Sequence, residues 1–438
     1  MNTAAPQPPP TAPETKVHQL ADHLFRHESG KMVAVLTGLY GPHRLQLAED
    51  VVQEALVRAL RTWPFSGTPD NPAAWLLRTA KNLAIDHLRR ERNFHEKQPG
   101  IAVEMDAADS PETGDESGFP DDSLRLMFVC CHPALAQEIQ SALALKTLCG
   151  FSPAEIAKAF LISEAAVSKR LTRARQRIRE LGLPFAVPEV NELPARLDAV
   201  LRTLYLLFNE GYKASDGDRL VREDLCLEAI RLAQLLTAHP ATRAPRTHAL
   251  LALMLLGAAR LPARTDDAGN LLRLHEQNRA AWDSGMIVSG VRELALSGTG
   301  EVISEYHLEA GIAACHSTAA DEAATDWPRI LALYDKLVAL TNSPVAALNR
   351  AVAIARVHGP QAGMDAVNAI GNRGSLDDYH LFHAIRGTLA AELGHLSEAV
   401  AEFRMAETLT TVPAEREFIA RRIREFEGTP PMVPARSA

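Results

Sequence analysis

The chain has 438 residues, 47% hydrophobic and 23% charged, with a formal net charge of −8. That length exceeds one ordinary core and predicts two or three domains. No apolar run is long enough to span a bilayer, so a membrane is not among the expected partners. The five cysteines, Cys130, Cys131, Cys149, Cys226 and Cys315, are odd in number and irregular in spacing. That argues against a disulfide framework; adjacent Cys130 and Cys131 do not form a Cys-x-x-Cys chelate, so buried thiols are expected and no metal.

Residues 1–15 are rich in Pro and Ala and lack a basic start followed by an apolar stretch. They predict a disordered tail rather than a signal peptide, and a cytoplasmic protein. Beyond it, apolar positions recur every three and four residues and strand-like alternation is scarce, so the expected fold class is all-α. Helices are predicted over Val17–Leu39 and Leu47–Trp63, a Pro/Gly-marked loop over Trp63–Pro72, and a helix over about Ala73–Arg92. Residues 98–122 carry Glu104, Asp106, Asp109, Glu112, Asp115, Glu116, Asp121 and Asp122 with no Lys or Arg. One sign of charge, several Pro and Gly, and few large apolar groups predict a flexible acidic linker. Helices resume over 123–183, Pro184 and Pro188 mark a boundary, and 190–427 reads as a succession of helices broken by Gly and Pro. Residues 428–438 read as a second disordered tail.

The net charge conceals a segregation. Arg78, Lys81, Arg89, Arg90, Arg92 and Lys97 crowd one segment before the linker, and Lys169, Arg170, Arg173, Arg175, Arg177 and Arg179 another after it. The second segment has the pattern of a helix-turn-helix. Ser152 is placed to cap a helix whose first residue is Pro153, with Ile156, Ala157 and Phe160 on its inner face. A turn through Leu161 and Ile162, where Gly is often found, leads to Ser163 as a second N-cap. The next helix starts at Glu164 and turns Val167 and Leu171 inward. In such a motif the N-terminal side chains of the second helix, here Glu164, Ala165, Ser168 and Lys169, face base edges in the major groove. Arg170, Arg173, Arg175 and Arg177 would hold phosphates, which position rather than specify. The alternative is a helical hairpin with a solvated basic face.

Two stretches before the linker, Glu49-Asp-Val-Val-Gln-Glu-Ala55 and Trp75-Leu-Leu-Arg-Thr-Ala-Lys-Asn-Leu-Ala-Ile-Asp-His-Leu-Arg-Arg90, resemble region 2 of extracytoplasmic-function RNA polymerase sigma factors. The helix-turn-helix resembles their region 4. The resemblance implies region 2 over 16–97, region 4 over 123–183, core RNA polymerase and promoter DNA as partners, and transcription initiation as the function. It assigns the polymerase-binding surface to Asp50, Gln53 and Glu54, which offsets of three and four place on one helical face. It assigns the minus-ten DNA to Phe65, Ser66, Trp75, Arg78, Lys81, Asn82, Arg89 and Arg90, where rings stack on unpaired bases and cations follow the strand. Trp75 also reads as a core residue from its apolar neighbours. The minus-thirty-five element falls to the second basic segment. By the same comparison the acidic linker enters the polymerase channel; a passive tether is the other reading.

The rest of the chain, 190–427, is expected to be a helical-repeat domain. Gly387, Gly394, Ala399, Phe403 and Ala406 fall close to tetratricopeptide spacing, with Ala346–Ile370 as a degenerate neighbour. Tyr205-Leu-Leu-Phe-Asn-Glu-Gly-Tyr212, with Ala258–Asp283 and Leu340–Ala353, resembles the sigma subgroup ECF42, in which a fused helical domain is the regulator. Asn209, Glu210, Gly211 and Tyr212 are then candidates for a regulatory contact with the sigma regions, or a helix end capped by Gly211. An operator-binding regulator that does not join polymerase is the second functional reading. An enzyme is not expected: Walker, His-Glu-x-x-His and Gly-x-Ser-x-Gly motifs are absent, Asp216 and Asp218 are a lone acidic pair, and no cofactor is implied.

Overall fold

Helical periodicity of the apolar residues sets the architecture. In the computed structural model the described residues are 28–96, 119–159, 162–189, 191–212, 221–266, 270–371 and 376–427. Among them the regular structure is helical, and the one strand-like feature is a bridge between Thr265 and Leu271. The predicted tails, most of the acidic linker, Phe160, Leu161, Asp216, Asp218 and the first part of the Val17–Leu39 helix lie outside the described residues. No helix is long and apolar enough to cross a membrane among the described residues. Two units divide the chain, Met1–Leu206 and Leu207–Ala438.

The first unit starts with α1 (28–40), a 3-10 turn at Pro42–Arg44, α2 (Leu45–Ser66) and α3 (Pro72–Glu96). Val51, Val52, Ala55, Ala59 and Trp63 on α2 and Leu76, Ala80, Leu83 and Ala84 on α3 are all buried. The predicted loop over Trp63–Pro72 is shorter than expected. Helix α2 continues to Ser66 with Pro64 in its last turn, and Gly67 stops it at φ 81°, its N–H returning to the Trp63 carbonyl. A positive φ of that size suits a residue without Cβ. Pro72 belongs to α3, whose first turn leaves its missing N–H without consequence.

The second part of this unit comprises α4 (Phe119–Cys130), α5 (Gln137–Cys149), α6 (Pro153–Ala159), α7 (Glu164–Leu181) and the start of α8 (Leu193–Tyr212). The boundary expected near Pro184 and Pro188 precedes α8, which the division between the two units crosses after Leu206. Leu197, Val200, Leu201, Thr203 and Leu204 are buried, and the Thr203 hydroxyl approaches that of Ser141 on α5 at 3.5 Å. These residues complete the core of the first unit, which proline punctuation alone does not reveal. All five cysteines are buried; desolvation pushes the Cys131 thiol up to about 12.

The second unit takes in the end of α8 and then α9 (Glu223–Ala238), α10 (Pro245–Ala258), α11 (Ser284–Ser297), α12 (Glu305–Thr318), α13 (Trp327–Thr341), α14 (Pro344–His358), α15 (Pro360–Asn368), α16 (His380–Glu392), α17 (Leu396–Leu409) and α18 (Pro413–Glu427). From α13 onward, successive helices pack as hairpins. In α16 and α17, a Cβ on Gly387 would meet the Phe403 ring at 3.0 Å and the Ala399 carbonyl oxygen at 3.2 Å. Ala399, Phe403 and Ala406 are buried, and Gly394 turns the chain at φ 83°. His380 and His383, for which no nearby carboxylate is evident in sequence, lie 3.2 Å from Glu415 and 2.7 Å from Glu402.

Gly211 is not the cap of α8. It lies one residue inside the helix, and a Cβ there would reach the Cys226 amide nitrogen at 2.8 Å and the Arg222 carbonyl oxygen at 2.9 Å. Those neighbours are backbone and cannot step aside, so close packing of α8 on the start of α9 explains the glycine. Gly211→Ala is therefore expected to destabilise the chain by about 1–3 kcal/mol in urea unfolding followed by circular dichroism. Gly371→Ala, with nothing within 4 Å of the added methyl, should leave the transition in place.

Candidate nucleic-acid interface

Each helix of the helix-turn-helix begins on a side-chain cap. Ser152 Oγ accepts the Glu155 N–H at 3.1 Å while Glu155 accepts the Ser152 N–H at 2.8 Å, a reciprocal capping box. Ser163 Oγ accepts the Ala166 N–H at 3.2 Å, and Gly182 ends α7 at φ 55°. Caps of this kind contribute about 1 kcal/mol each and fix where a helix begins. On α7, Val167, Leu171, Ala174 and Ile178 form the buried stripe. Glu164, Ala165, Ser168 and Lys169 are exposed at its N-terminal end, and Arg173 and Arg177 are exposed further along. Arg170 is half-buried, and Arg177 lies 3.4 Å from Glu180. The basic face thus stands opposite the packed one, as a groove-reading helix requires.

In the first module the polar face of α2 carries Asp50, Gln53 and Glu54 beside Val57, which is 44% exposed. Val57 lies one turn beyond Gln53 and Glu54, an apolar contribution to the face that the sequence pattern did not single out. Glu54 is held by Arg58 at 2.8 Å. Phe65 is 89% exposed at the end of α2, an aromatic ring with no packing partner large enough to cover it. The Ser66 hydroxyl donates to the Thr62 carbonyl. Arg78, Asn82, Arg89 and Arg90 are exposed along α3 and Lys81 is half-buried. Trp75 has a double character: it is half-buried and meets buried Trp63 edge to face at 5.5 Å.

Sequence reasoning missed a contact between the two modules. Glu49, 6% exposed, accepts the Thr147 hydroxyl at 2.9 Å and the Arg175 guanidinium at 2.7 Å. Arg175, assigned to phosphate by its place in a basic run, is thereby turned away from the solvent face of α7; its side chain is only 16% exposed. The helices approach closely here as well. A Cβ on Gly30 would fall 1.9 Å from the Leu148 carbonyl oxygen, and one on Gly38 would touch the Phe185 ring at 3.0 Å. Burial pushes the neighbouring Asp50 carboxyl up, against the pull of Arg175 and His87, and holds the His43 imidazole down, with Arg44 and Arg179 adding to it. The signal available in sequence was the run Glu49-Asp50 at helical spacing from buried Val52, which places Glu49 and not Asp50 on the inner side of α2.

The candidate regulatory segment is mostly internal to the second unit. Glu210 and Gly211 are buried, Tyr212 lies beneath the Arg264 guanidinium with 3.8 Å to the ring centre, and Asn209 is exposed.

A capped helix-turn-helix with a basic outer face, preceded by a helical module that exposes an aromatic and cations, is the layout of a DNA-binding transcription protein. Residues 24–94 match the family described as Sigma-70 region 2, residues 125–178 that described as Sigma-70, region 4, and residues 196–298 a family of unknown function, DUF6596. An ECF RNA polymerase sigma factor of Mycobacterium tuberculosis, SigL, is 34% identical over 143 residues, 31% of this chain and 77% of its own. An uncharacterized protein of Rhizobium meliloti is 39% identical over 393 residues, 89% of this chain and 92% of that one. No solved structure matches. The chain belongs to the ECF family of RNA polymerase sigma factors, with a helical extension that it shares with the Rhizobium protein.

Breaking a buried ion pair by removing one partner leaves a charge stranded, at a cost of about 3–5 kcal/mol. A double-mutant cycle with Glu49→Ala and Arg175→Ala, read by urea unfolding, is expected to give a coupling energy of about 1–3 kcal/mol; additive effects would show that the pair does not hold the modules together.

Proposed function

We propose that the chain binds core RNA polymerase and directs promoter recognition, opening and transcription initiation in the cytoplasm, and that its helical extension regulates this step. The observation that carries the reading is the order of parts. A region 2 match with an exposed aromatic and cationic helix precedes a doubly capped helix-turn-helix in one chain. Asp50, Gln53 and Glu54 are the polymerase-binding face. Phe65 and Asn82, with Ser66, receive a flipped minus-ten base, and Arg78, Lys81, Arg89 and Arg90 hold the separated strand. Trp75 braces that platform through Trp63. Flipping a base costs a few kcal/mol, which stacking at roughly 1–3 kcal/mol per base and phosphate contacts offset.

Glu164, Ala165, Ser168 and Lys169 read the minus-thirty-five element, and Arg170, Arg173 and Arg177 grip its backbone. Arg175 joins them only after leaving Glu49. Two elements 25 base pairs apart are separated by roughly 85 Å of B-DNA at about 3.4 Å per pair. Modules joined by a 2.7 Å ion pair cannot reach both. Polymerase binding therefore has to part them, and the acidic linker supplies the length.

The extension from Leu207 is a tetratricopeptide-like array of the kind found in the ECF42 subgroup, and its regulation of the sigma regions runs through an intramolecular contact in which exposed Asn209 takes part, with Glu210, Gly211 and Tyr212 positioning it from inside the second unit. Gly387, Ala399, Phe403 and Ala406 support the repeat reading through their packing in α16 and α17.

Transcription by core RNA polymerase from promoters selected with the reconstituted holoenzyme tests the reading. The full chain is expected to initiate, and Asp50→Arg with Glu54→Arg to abolish initiation while duplex binding persists. Duplex binding without initiation by the wild-type chain would mark an operator-binding regulator instead. Arg173→Ala should lower the salt dependence of duplex binding by about one phosphate contact. A chain ending at Leu206 gives the sign of regulation: higher activity means an inhibitory extension, lower activity a required one, and equal activity refutes regulation.

A further inference from the structure

The second unit contains a group of buried and half-buried donors, three of them guanidiniums, that the sigma reading does not use. Arg260 follows α10, Arg264 follows the 3-10 turn Leu261–Ala263, Arg279 begins the 3-10 turn Arg279–Ala281, Trp282 comes next, and His316 projects from α12. The Arg260 and Arg279 guanidiniums lie 5.5 and 4.7 Å from the centre of the same Trp282 ring. Arg279 Nη1 donates to the carbonyls of His316 and Ala319 at 2.7 and 2.8 Å, which brings α12 to the group. Arg264 stacks on Tyr212 and is 8% exposed.

Several donors here have no acceptor. Arg264 Nη1, Arg279 Nη2 and Trp282 Nε1 are buried without a hydrogen-bond partner, as is His316 Nδ1. Trp282 as a whole is 6% exposed. Among the described residues none of the three guanidiniums forms an ion pair. The acids near in sequence are occupied: Asp266, two residues from Arg264, accepts the Asn270 N–H and side-chain amide at 2.8 and 2.9 Å, Glu276 is held by Arg273 at 2.9 Å, and exposed Asp283 caps α11 through the Met286 N–H. Arg260 Nε reaches only the Gln277 side-chain oxygen, at 3.4 Å. Desolvation, with Arg264 and Arg279 adding to it, holds the Arg260 guanidinium below its usual range against Tyr212, and burial with Arg260 and Arg279 lowers His316 to about 4, so the imidazole is neutral at pH 7.

Buried charges are ordinarily paired, and an unpaired buried donor costs about 1–3 kcal/mol. Three guanidiniums and an indole, with three buried nitrogens among them left without acceptors, form an arrangement that an anion completes. A single carboxylate brings one negative charge. A phosphate monoester brings −1.5 to −2 at neutral pH and three strong acceptor oxygens, a closer match in charge and in acceptor number. We propose that Arg260, Arg264, Arg279 and the Trp282 N–H form a binding site in the second unit for a small phosphate-bearing molecule. The site is independent of the role assigned to the first unit.

Equilibrium dialysis of the full chain with radiolabelled inorganic phosphate, at constant ionic strength set by chloride, tests this. One saturable phosphate per chain is expected. Arg260→Gln, which removes a charge together with the contacts to Gln277 and the Trp282 ring, should weaken it at least about tenfold. Trp282→Phe keeps the ring under both guanidiniums and removes the N–H, and should weaken it severalfold. Arg170→Gln on α7 reports any phosphate held instead by the DNA-binding face. Absence of saturable binding, binding untouched by both second-unit variants, loss in Arg170→Gln alone, or tighter binding of citrate than of phosphate would each overturn the proposal.

Discussion

The first unit is organised around one buried carboxylate. Glu49 sits on the inner edge of α2, where the helical repeat that buries Val52 and Ala55 also carries it out of water. A carboxylate there requires donors, and both come from the other module: Thr147 from α5 and Arg175 from α7. The backbone follows, with Gly30 allowing α1 to reach the Leu148 carbonyl. Residue types that would otherwise be read one by one, an acid next to Asp50 and an arginine in a basic run, become one interaction that joins the two helical modules of the first unit. The energetics suit a switch. A satisfied buried pair contributes little net stability compared with apolar packing, so an interface that offers these groups other partners can release it.

Much of this was legible in the sequence. Ser152, Pro153 and Ser163 announced both helices of the helix-turn-helix because capping is a local rule, satisfied within three residues of the cap. Asp50, Gln53 and Glu54 were found on one face because helical spacing is also local. The glycine and alanine pattern of Gly387 to Ala406 located a helical hairpin for the same reason. The unread part was non-local. Nothing in the neighbourhood of Arg175 distinguishes it from Arg173 or Arg177; its partner is Glu49, far away in the chain. Gly211 was open to two readings, a contact residue or a helix cap, because glycine ends many helices, but its demand comes from α9 passing within 3 Å of the missing Cβ. Helix α8 continues straight through the end of the first unit, with no proline to mark the change of core.

The second unit shows a similar logic with the opposite sign. In the first unit a buried acid has found its cation; in the second, buried Arg264 and half-buried Arg260 and Arg279 form no ion pair among the described residues. The aromatic surfaces of Trp282 and Tyr212 accommodate guanidinium faces but do not neutralise them, since a cation–π contact contributes only about 0.5–2 kcal/mol. The second unit therefore combines hairpin packing that is locally specified with an electrostatic arrangement that no local pattern encodes.

The most direct test of the central claim is the separation of the two modules in the free protein and on core RNA polymerase. Gln46→Cys on α2 and Gln176→Cys on α7 place labels at exposed positions beside Glu49 and Arg175, and the five native thiols are buried. Pulsed electron–electron resonance should give a short distance in the free chain that lengthens by tens of ångströms, toward the roughly 85 Å span of the two promoter elements, when core polymerase is added. A short distance that persists in the polymerase complex, or a free chain whose labels are already far apart, would contradict the account.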